Sequence, residues 1–251
     1  MLPEKRREYI VELVIEENGC TVSELAEELD ISETTVRRDL DELADRNSIN
    51  RTHGGAVPVV ERLSDYERRT IQNREAKETI AKRAVKEIHN EQVVLLDAGS
   101  TTQAIGSEIP KDYNISVVTN NPPVASRLAE AETEVFLTGG RYNEDHNFLV
   151  GRLAEEAIEQ MNFDLAFIGV EGIHSDGLTT VFNDAARIKE LMVKNSRRVV
   201  VVADHSKIGA RSVIQFADLS DVDMVITDKP IAHDLRESLV EAGIEVTDDL
   251  D

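Results

Sequence analysis

Three features of this 251-residue chain predict an α/β protein in two parts, a small winged helix-turn-helix followed by a larger Rossmann-like domain. Residues 21–56, TVSELAEELDISETTVRRDLDELADRNSINRTHGGA, carry apolar residues at helical spacing in two short runs and then a glycine-rich hairpin. From Glu75 onward, short apolar runs alternate with amphipathic segments, the pattern of a mostly parallel sheet covered on both faces. Nearly every one of those runs closes on a polar or glycine-rich group. The boundaries expected are 1–57 for the first domain, 58–74 for a linker that is locally basic through Arg62, Arg68, Arg69 and Arg74, and 75–251 for the second domain.

In the first domain, Thr21 and Glu24 form a capping box, each side chain satisfying a free backbone N–H at a helix start. Leu25, Ala26 and Leu29 follow at helical spacing and the helix stops at Asp30. Ser32 caps the next helix, where Val36, Leu40 and Leu43 make one narrow stripe that must face the core. At 100° per residue Thr34 and Arg38 lie opposite that stripe, with Thr35 and Arg37 on its flanks. All four sit in the N-terminal half of the helix, the part that enters the major groove in this motif, and can donate to base edges or phosphates. Asn50-Arg51-Thr52-His53-Gly54-Gly55 then reads as a wing, with Arg51 and His53 as its candidate contacts to the minor groove or backbone. Amphipathic helix pairs also serve protein interaction, and an Arg-Arg pair also occurs on plain solvated faces.

Charge runs against DNA binding. The chain has a net charge of −21, and residues 1–57 hold 7 Lys+Arg against 14 Asp+Glu. A salt-rich cytoplasm reconciles the two: acid is spread over every segment, and lysine is scarce at 9 against 19 arginines, as expected of a halophile's protein. Concentrated salt screens repulsion beyond about 3 Å at 1 M, leaving short-range contacts in control. There is no apolar run near the roughly 20 residues of a membrane span, and the start, MLPEKRREYI, lacks a signal peptide's apolar region. A cytoplasmic protein without a membrane partner is expected. The single cysteine, Cys20, excludes an intramolecular disulfide and a cysteine metal cluster, and reads as a packed thiol. The six histidines show no metal-ligand spacing, so neither a metal nor a cofactor is expected.

In the second domain the expected strands are QVVLLDAG, ISVVTNN, EVFLTGG, DLAFIGVEG, RRVVVVAD, DMVITD and IEVT. Helices are expected over Glu75–His89, from Thr101, from Pro122, near Leu153–Met161, near Ala185–Asn195 and over Ile231–Ala242. In open α/β sheets ligands bind outside the carboxyl ends of the strands. The groups there are Asp97 through Gly99, Ser100, Thr101 and Thr102, Thr119-Asn120-Asn121, Thr138-Gly139-Gly140-Arg141, Gly169 through Glu171 to Gly172, Asp204 through Lys207, and Thr227-Asp228. Gly99 to Thr102 sits between a strand and a helix, where free amides, hydroxyls and the positive helix end can cradle an anion such as phosphate, with Arg141 and Lys207 adding charge. Small polar residues at such places also serve simply as helix caps.

Ser32-x-x-Thr35-Val36-Arg37-Arg38-Asp39-Leu40 followed by Arg51-Thr52-His53-Gly54-Gly55-Ala56 resembles the signature of the DeoR family of transcriptional regulators. Asp97 to Thr102, Val118 to Asn120, Gly139-Gly140 and Asp204 to Lys207 resemble the motifs of that family's effector domain, so the resemblance spans almost the whole chain. One departure is Asn47-Ser48, where many members carry a glycine before the wing. The resemblance implies an effector domain similar in fold to ribose-5-phosphate isomerase, and a repressor released by a phosphorylated sugar or polyol. It also implies operator DNA as partner and a homo-oligomer, dimer or tetramer. Where the isomerase has an Arg-Glu-Lys run supplying its catalytic carboxylate, the similar segment here is Arg187-Ile188-Lys189. The base is then absent, leaving Lys189 as a binding group and no catalytic residue. The competing classes are a sugar-phosphate-converting enzyme with a vestigial DNA module, and a scaffold that uses the winged domain for protein contacts.

Overall fold

A computed structural model describes residues 3–17, 19–46, 48–59 and 65–248. The chain forms two compact units, residues 1–72 and 73–251. In the first, α1 (Pro3–Glu16), α2 (Val22–Leu29) and α3 (Glu33–Asp45) stand with a three-stranded sheet of β1 (Cys20–Thr21), β2 (Ile49–Arg51) and β3 (Gly55–Pro58), in the order β1-β3-β2. The expected Thr21–Glu24 capping box is present, α2 ends on Asp30 in the left-handed region, and Ser32 caps α3 by accepting from Thr35 N–H. Val36, Leu40 and Leu43 join Ile10, Val14, Val22, Leu25, Ile49 and Ala56 in one apolar core.

Of the wing's paired glycines, Gly55 is the one the packing requires, because a Cβ there would meet Cys20 O at 2.0 Å. The Cys20 thiol, half-buried and pointed at Leu13 O, is pushed up to about 11 by burial and by the charges of Glu24 and Glu17, which fits a packed thiol. Asn47 and Arg62 lie outside the described residues. Within the stretch read as a linker, Asp65–Ile71 forms a helix, α4.

Asp39 is the unexpected core member. Its carboxylate is buried and accepts from Arg6 Nε at 2.6 Å and Arg7 Nε at 3.0 Å. Burial raises its pKa, but the arginine hydrogen bonds and charges outweigh this and leave it below the usual carboxylate range. A depressed folded pKa gives stability that is present above the unfolded pKa and lost as pH falls through the folded one. Asp39→Ala should therefore cost about 2–3 kcal/mol at neutral pH, with the gap from wild type closing in acid, as read by urea unfolding at a series of pH values. A gap independent of pH would deny the ionised carboxylate this role.

The second unit is built on a seven-stranded sheet in the order β15-β14-β12-β9-β4-β5-β6, parallel at every pairing. These strands are β4 (Val93–Leu96), β5 (Ser116–Thr119), β6 (Glu134–Leu137), β9 (Leu165–Gly169), β12 (Val199–Val202), β14 (Met224–Ile226) and β15 (Glu245–Thr247), the seven that the apolar runs predict. On one face lie α5 (Arg74–Ala84), α6 (Ser100–Glu108) and α7 (Pro122–Glu130), burying Ile80, Ala84, Ile105, Val124 and Leu128. The other face is covered by α8 (Arg152–Glu159), α9 (Asn183–Lys194) and α10 (His233–Glu241) through Ala154, Ile158, Ile188, Met192 and Leu239.

The helix expected to reach His89 stops at Ala84 and tightens into a 3-10 turn at Val85–Glu87. Two antiparallel additions go beyond the sequence reading. One is the hairpin of β7 (Arg141–Asn143) and β8 (Phe148–Val150); the other is the small sheet of β10 (Gly172–His174), β11 (Gly177–Thr180) and β13 (Ile214–Ala217). At three or four residues each, they are too short to show a period. Gly140 holds the first in place: it has φ +115°, and a Cβ would lie 2.6 Å from Val150 O.

Candidate functional site

In the first unit, α3 presents Thr34, Arg37 and Arg38 to solvent, with Thr35 half-buried. The Ser32 and Thr35 hydroxyls share a hydrogen bond at 2.9 Å, so both serve the helix start. Arg37 is paired with Glu33 at 2.6 Å, one turn back. Arg51 donates to Gly55 O at 3.1 Å and meets Asp41 at the same distance, bracing the wing, while His53 is exposed in the turn. Arg6, Arg7 and Arg46 are tied to Asp39, Glu4 and Glu42. Among the described residues Arg38 has no acidic partner, which makes it the ready cation of the exposed face.

In the second unit the parallel sheet brings the polar groups to one edge. Across it run Thr227, Asp204, Gly169 to Glu171, Asp97, Thr119 to Asn121 and Thr138 to Gly140, in the order β14-β12-β9-β4-β5-β6. At its centre the buried Lys189 ammonium of α9 contacts Asp97 and donates to Gly169 O at 2.8 Å, while Gly169 N–H donates to Asp97 Oδ2 at 3.1 Å. Burial pushes the Asp97 carboxyl up, and the charge of Glu171 adds to this, against the pull of Lys189. Asp97 and Lys189 thus neutralise each other inside the domain.

Beside this pair the chain enters α6. Gln103 N–H is bonded to Gly99 O, so the amides of Ser100, Thr101 and Thr102 precede the first helical hydrogen bond, and no side chain caps them. The Thr102 hydroxyl is used locally, donating to Asp97 O at 2.6 Å and Gly99 O at 2.9 Å. On the neighbouring strand end, Asn120 Nδ2 donates to Leu149 O, while its buried Oδ1 has no hydrogen-bond partner.

Asp204 accepts at one oxygen from Asn73 Nδ2 at 2.9 Å and from the Ser206 amide at 3.0 Å and hydroxyl at 2.5 Å. Burial raises its pKa, but the Ser206 hydrogen bonds and the charges of Lys77 and Lys207 prevail, and it is held below the usual range. Lys77 and Asn73 escaped the sequence reading. A signal existed for Lys77, since it falls in helical register with the apolar Ile80, Ala81 and Ala84 and is itself buried. Arg141, by contrast, is exposed and paired with Asp184. A cavity of about 770 Å³ lies elsewhere, between α9 and β13, but its lining sets Glu190, Asp218 and Asp221 against the one cation Arg187, which disfavours an anion. Among the described residues no acid, histidine or cysteine cluster could hold a metal, and no helix is long and apolar enough to cross a membrane.

The family model of the DeoR-like helix-turn-helix domain matches residues 6–61, and that of the DeoR C-terminal sensor domain matches 72–229. The HTH-type transcriptional regulator GlpR of Haloferax volcanii is 47% identical over 251 residues, covering 99% of this chain and 98% of that protein. The glycerol-3-phosphate regulon repressor of Escherichia coli is 33% identical over 245 residues, covering 96% and 97%. Among solved structures, ribose 5-phosphate isomerase A of Methanocaldococcus jannaschii is similar over 55% of each chain at 17% identity and a TM-score of 0.41. Both domain models match in order and the regulators align nearly end to end, so this chain belongs to the DeoR family of transcriptional regulators and is a DNA-binding regulator rather than an enzyme.

Proposed function

We propose that this protein represses carbohydrate or glycerol catabolic genes from an operator and is released by a phosphorylated sugar or polyol, as a dimer or tetramer in the cytoplasm of a salt-loving cell. The division of labour is a DNA module at 1–57, a connecting segment at 58–74 and a sensor at 75–251. One observation carries the effector reading: the uncapped first turn of α6 beside the unpartnered Asn120 Oδ1, with Asp97 already neutralised by Lys189. The amides of Ser100 to Thr102 suit a phosphate and the Asn120 oxygen suits a hydroxyl. Gly139, Gly140, Glu171 and Lys207 complete the rim, and Arg141 joins on leaving Asp184.

Thr101→Asp places a negative charge where the phosphate is expected. It should abolish the response of operator binding to candidate sugar and polyol phosphates while leaving DNA affinity near wild type; unchanged ligand affinity by calorimetry would refute this pocket. On the DNA side, a bidentate base contact is worth about 1–3 kcal/mol of discrimination. Arg38→Ala should therefore lose about ten- to a hundredfold in specific affinity, with Arg37→Ala losing less because Glu33 must first be displaced. Binding of specific and scrambled DNA at one fixed salt reads this. A folded Arg38→Ala protein that binds both as wild type does would place the reading face elsewhere.

A further inference from the structure

We infer that the hydrogen bond from Asn73 to Asp204 is a latch: it fixes the joint where the second unit begins, and the effector weakens operator binding by breaking it. This rests on the effector reading above and names its regulation. Asn73 is the first residue of the second unit, two positions after α4 ends at Ile71 and directly before α5 begins at Arg74. Its backbone stands at φ +54° and ψ +37°, in the left-handed region that residues other than glycine occupy at a cost. Asn73 sits at the start of α5 but makes no capping bond there. Its side-chain amide donates instead to Asp204 Oδ1 at 2.9 Å, 131 positions away. The bond that holds the turn therefore lies across the fold.

At its other end the bond meets the effector's side of the sheet. Asp204 follows β12 at the carboxyl edge, two strands from Asp97 in the order β12-β9-β4, about 10 Å at ordinary strand spacing. That reach suits the hydroxyl end of a sugar anchored by its phosphate on the α6 amides. Three donors fall on the one oxygen Asp204 Oδ1, and two of them, the amide and hydroxyl of Ser206, belong to the turn that Asp204 itself caps. Asn73 is the donor with no local tether, and it is exposed, so water can take over its amide. A carboxylate shares one negative charge among its donors, and a hydroxyl arriving at Asp204 weakens the bond to Asn73 first.

Once the amide is released, the left-handed turn loses the bond that offsets its cost, and the joint loosens. An oligomer reads an operator by placing two modules on two half-sites, and freedom at each joint lowers their effective concentration there. Effector and operator thus oppose each other through Asn73. The opposition is reciprocal: the factor by which effector lowers operator affinity is the factor by which operator lowers effector affinity.

The test uses the full chain at molar KCl and two variants. Glycine adopts left-handed backbone freely, so Asn73→Gly keeps the turn accessible and removes the donor. Asn73→Asp also tolerates that backbone, and it sets a second carboxylate against Asp204. The probe is whichever compound, among glycerol 3-phosphate and a panel of pentose and hexose phosphates, most lowers wild-type operator affinity. Without the probe, each variant should bind operator about fivefold or more weakly than wild type, and by calorimetry each should bind the probe more tightly. A bond with a structural role alone would weaken both affinities or neither, so the opposed shifts identify the latch. In the wild type, the probe should speed proton exchange of the Asn73 side-chain amide, read by NMR. Folded variants whose two affinities stay at wild type or fall together overturn the latch and leave the effector reading standing, as does an Asn73 amide whose exchange the probe leaves unchanged. A wild type whose operator affinity no compound alters overturns the effector reading and the latch together.

Discussion

Lys189→Met is expected to lower the unfolding free energy of the sensor unit by about 3–5 kcal/mol, the cost of leaving a buried charge without its partner. Lys189 is 4% exposed and Asp97 2%, and each is the other's nearest opposite charge. With the ammonium gone, Asp97 keeps the Gly169 N–H and faces the negative charge of Glu171, with burial still disfavouring its ionised form. Adding Asp97→Asn should recover most of the loss, because an amide oxygen can still accept from Gly169 and no charge remains. Urea unfolding of the two single variants and the double completes the cycle. If Lys189→Met unfolds at the wild-type midpoint, the pair does not hold the carboxyl edge together. If the double variant still binds effector, the pair is the floor of the pocket and does not contact the ligand.

Operator binding should survive at 1 M KCl, with a shallow or positive slope of log affinity against log salt. A DNA reader that neutralises 6–10 phosphates loses about 10³–10⁵ in affinity between 50 and 200 mM salt, because it releases counterions. Here three arginines of the module, Arg6, Arg7 and Arg46, are engaged with its own acids, and Arg37 and Arg51 carry carboxylate partners that DNA must displace. Glu33 and Asp41 then lie close to phosphate and take up cations, offsetting the release. Over that same salt range the loss should stay within about tenfold. Folding must be checked at each salt, since self-repulsion of a chain at −21 weakens the compact state when screening is poor. A steep negative slope within the folded range would overturn the account that ties the acidic composition to salt.

Much of the fold was legible because its signals are local. The capping box at Thr21 and Glu24, the stop at Asp30 and the Ser32 cap each depend on residues within one helical turn, and all three stand as expected. Runs such as Val199–Val202 are strands buried on both faces, and once the strands are parallel their polar carboxyl ends must share one edge. Local spacing is silent on what arrives from far along the chain. Asp39 reads as a solvated residue until Arg6 and Arg7, 33 and 32 positions away, bury it. Lys189 reads as a pocket cation, and its contact with Asp97, 92 positions away, is visible only in the fold. EVFL and VVLL look alike as runs, yet strand order makes β6 an exposed edge and β4 an interior strand of the sheet. The sequence by itself determined the seven sheet strands, the helices that cover them, the caps of α2 and α3 and the end of the sheet where the polar groups gather. Tertiary structure alone decided which charges are neutralised inside and which edge is left open, because burial and pairing depend on neighbours that sequence spacing does not encode.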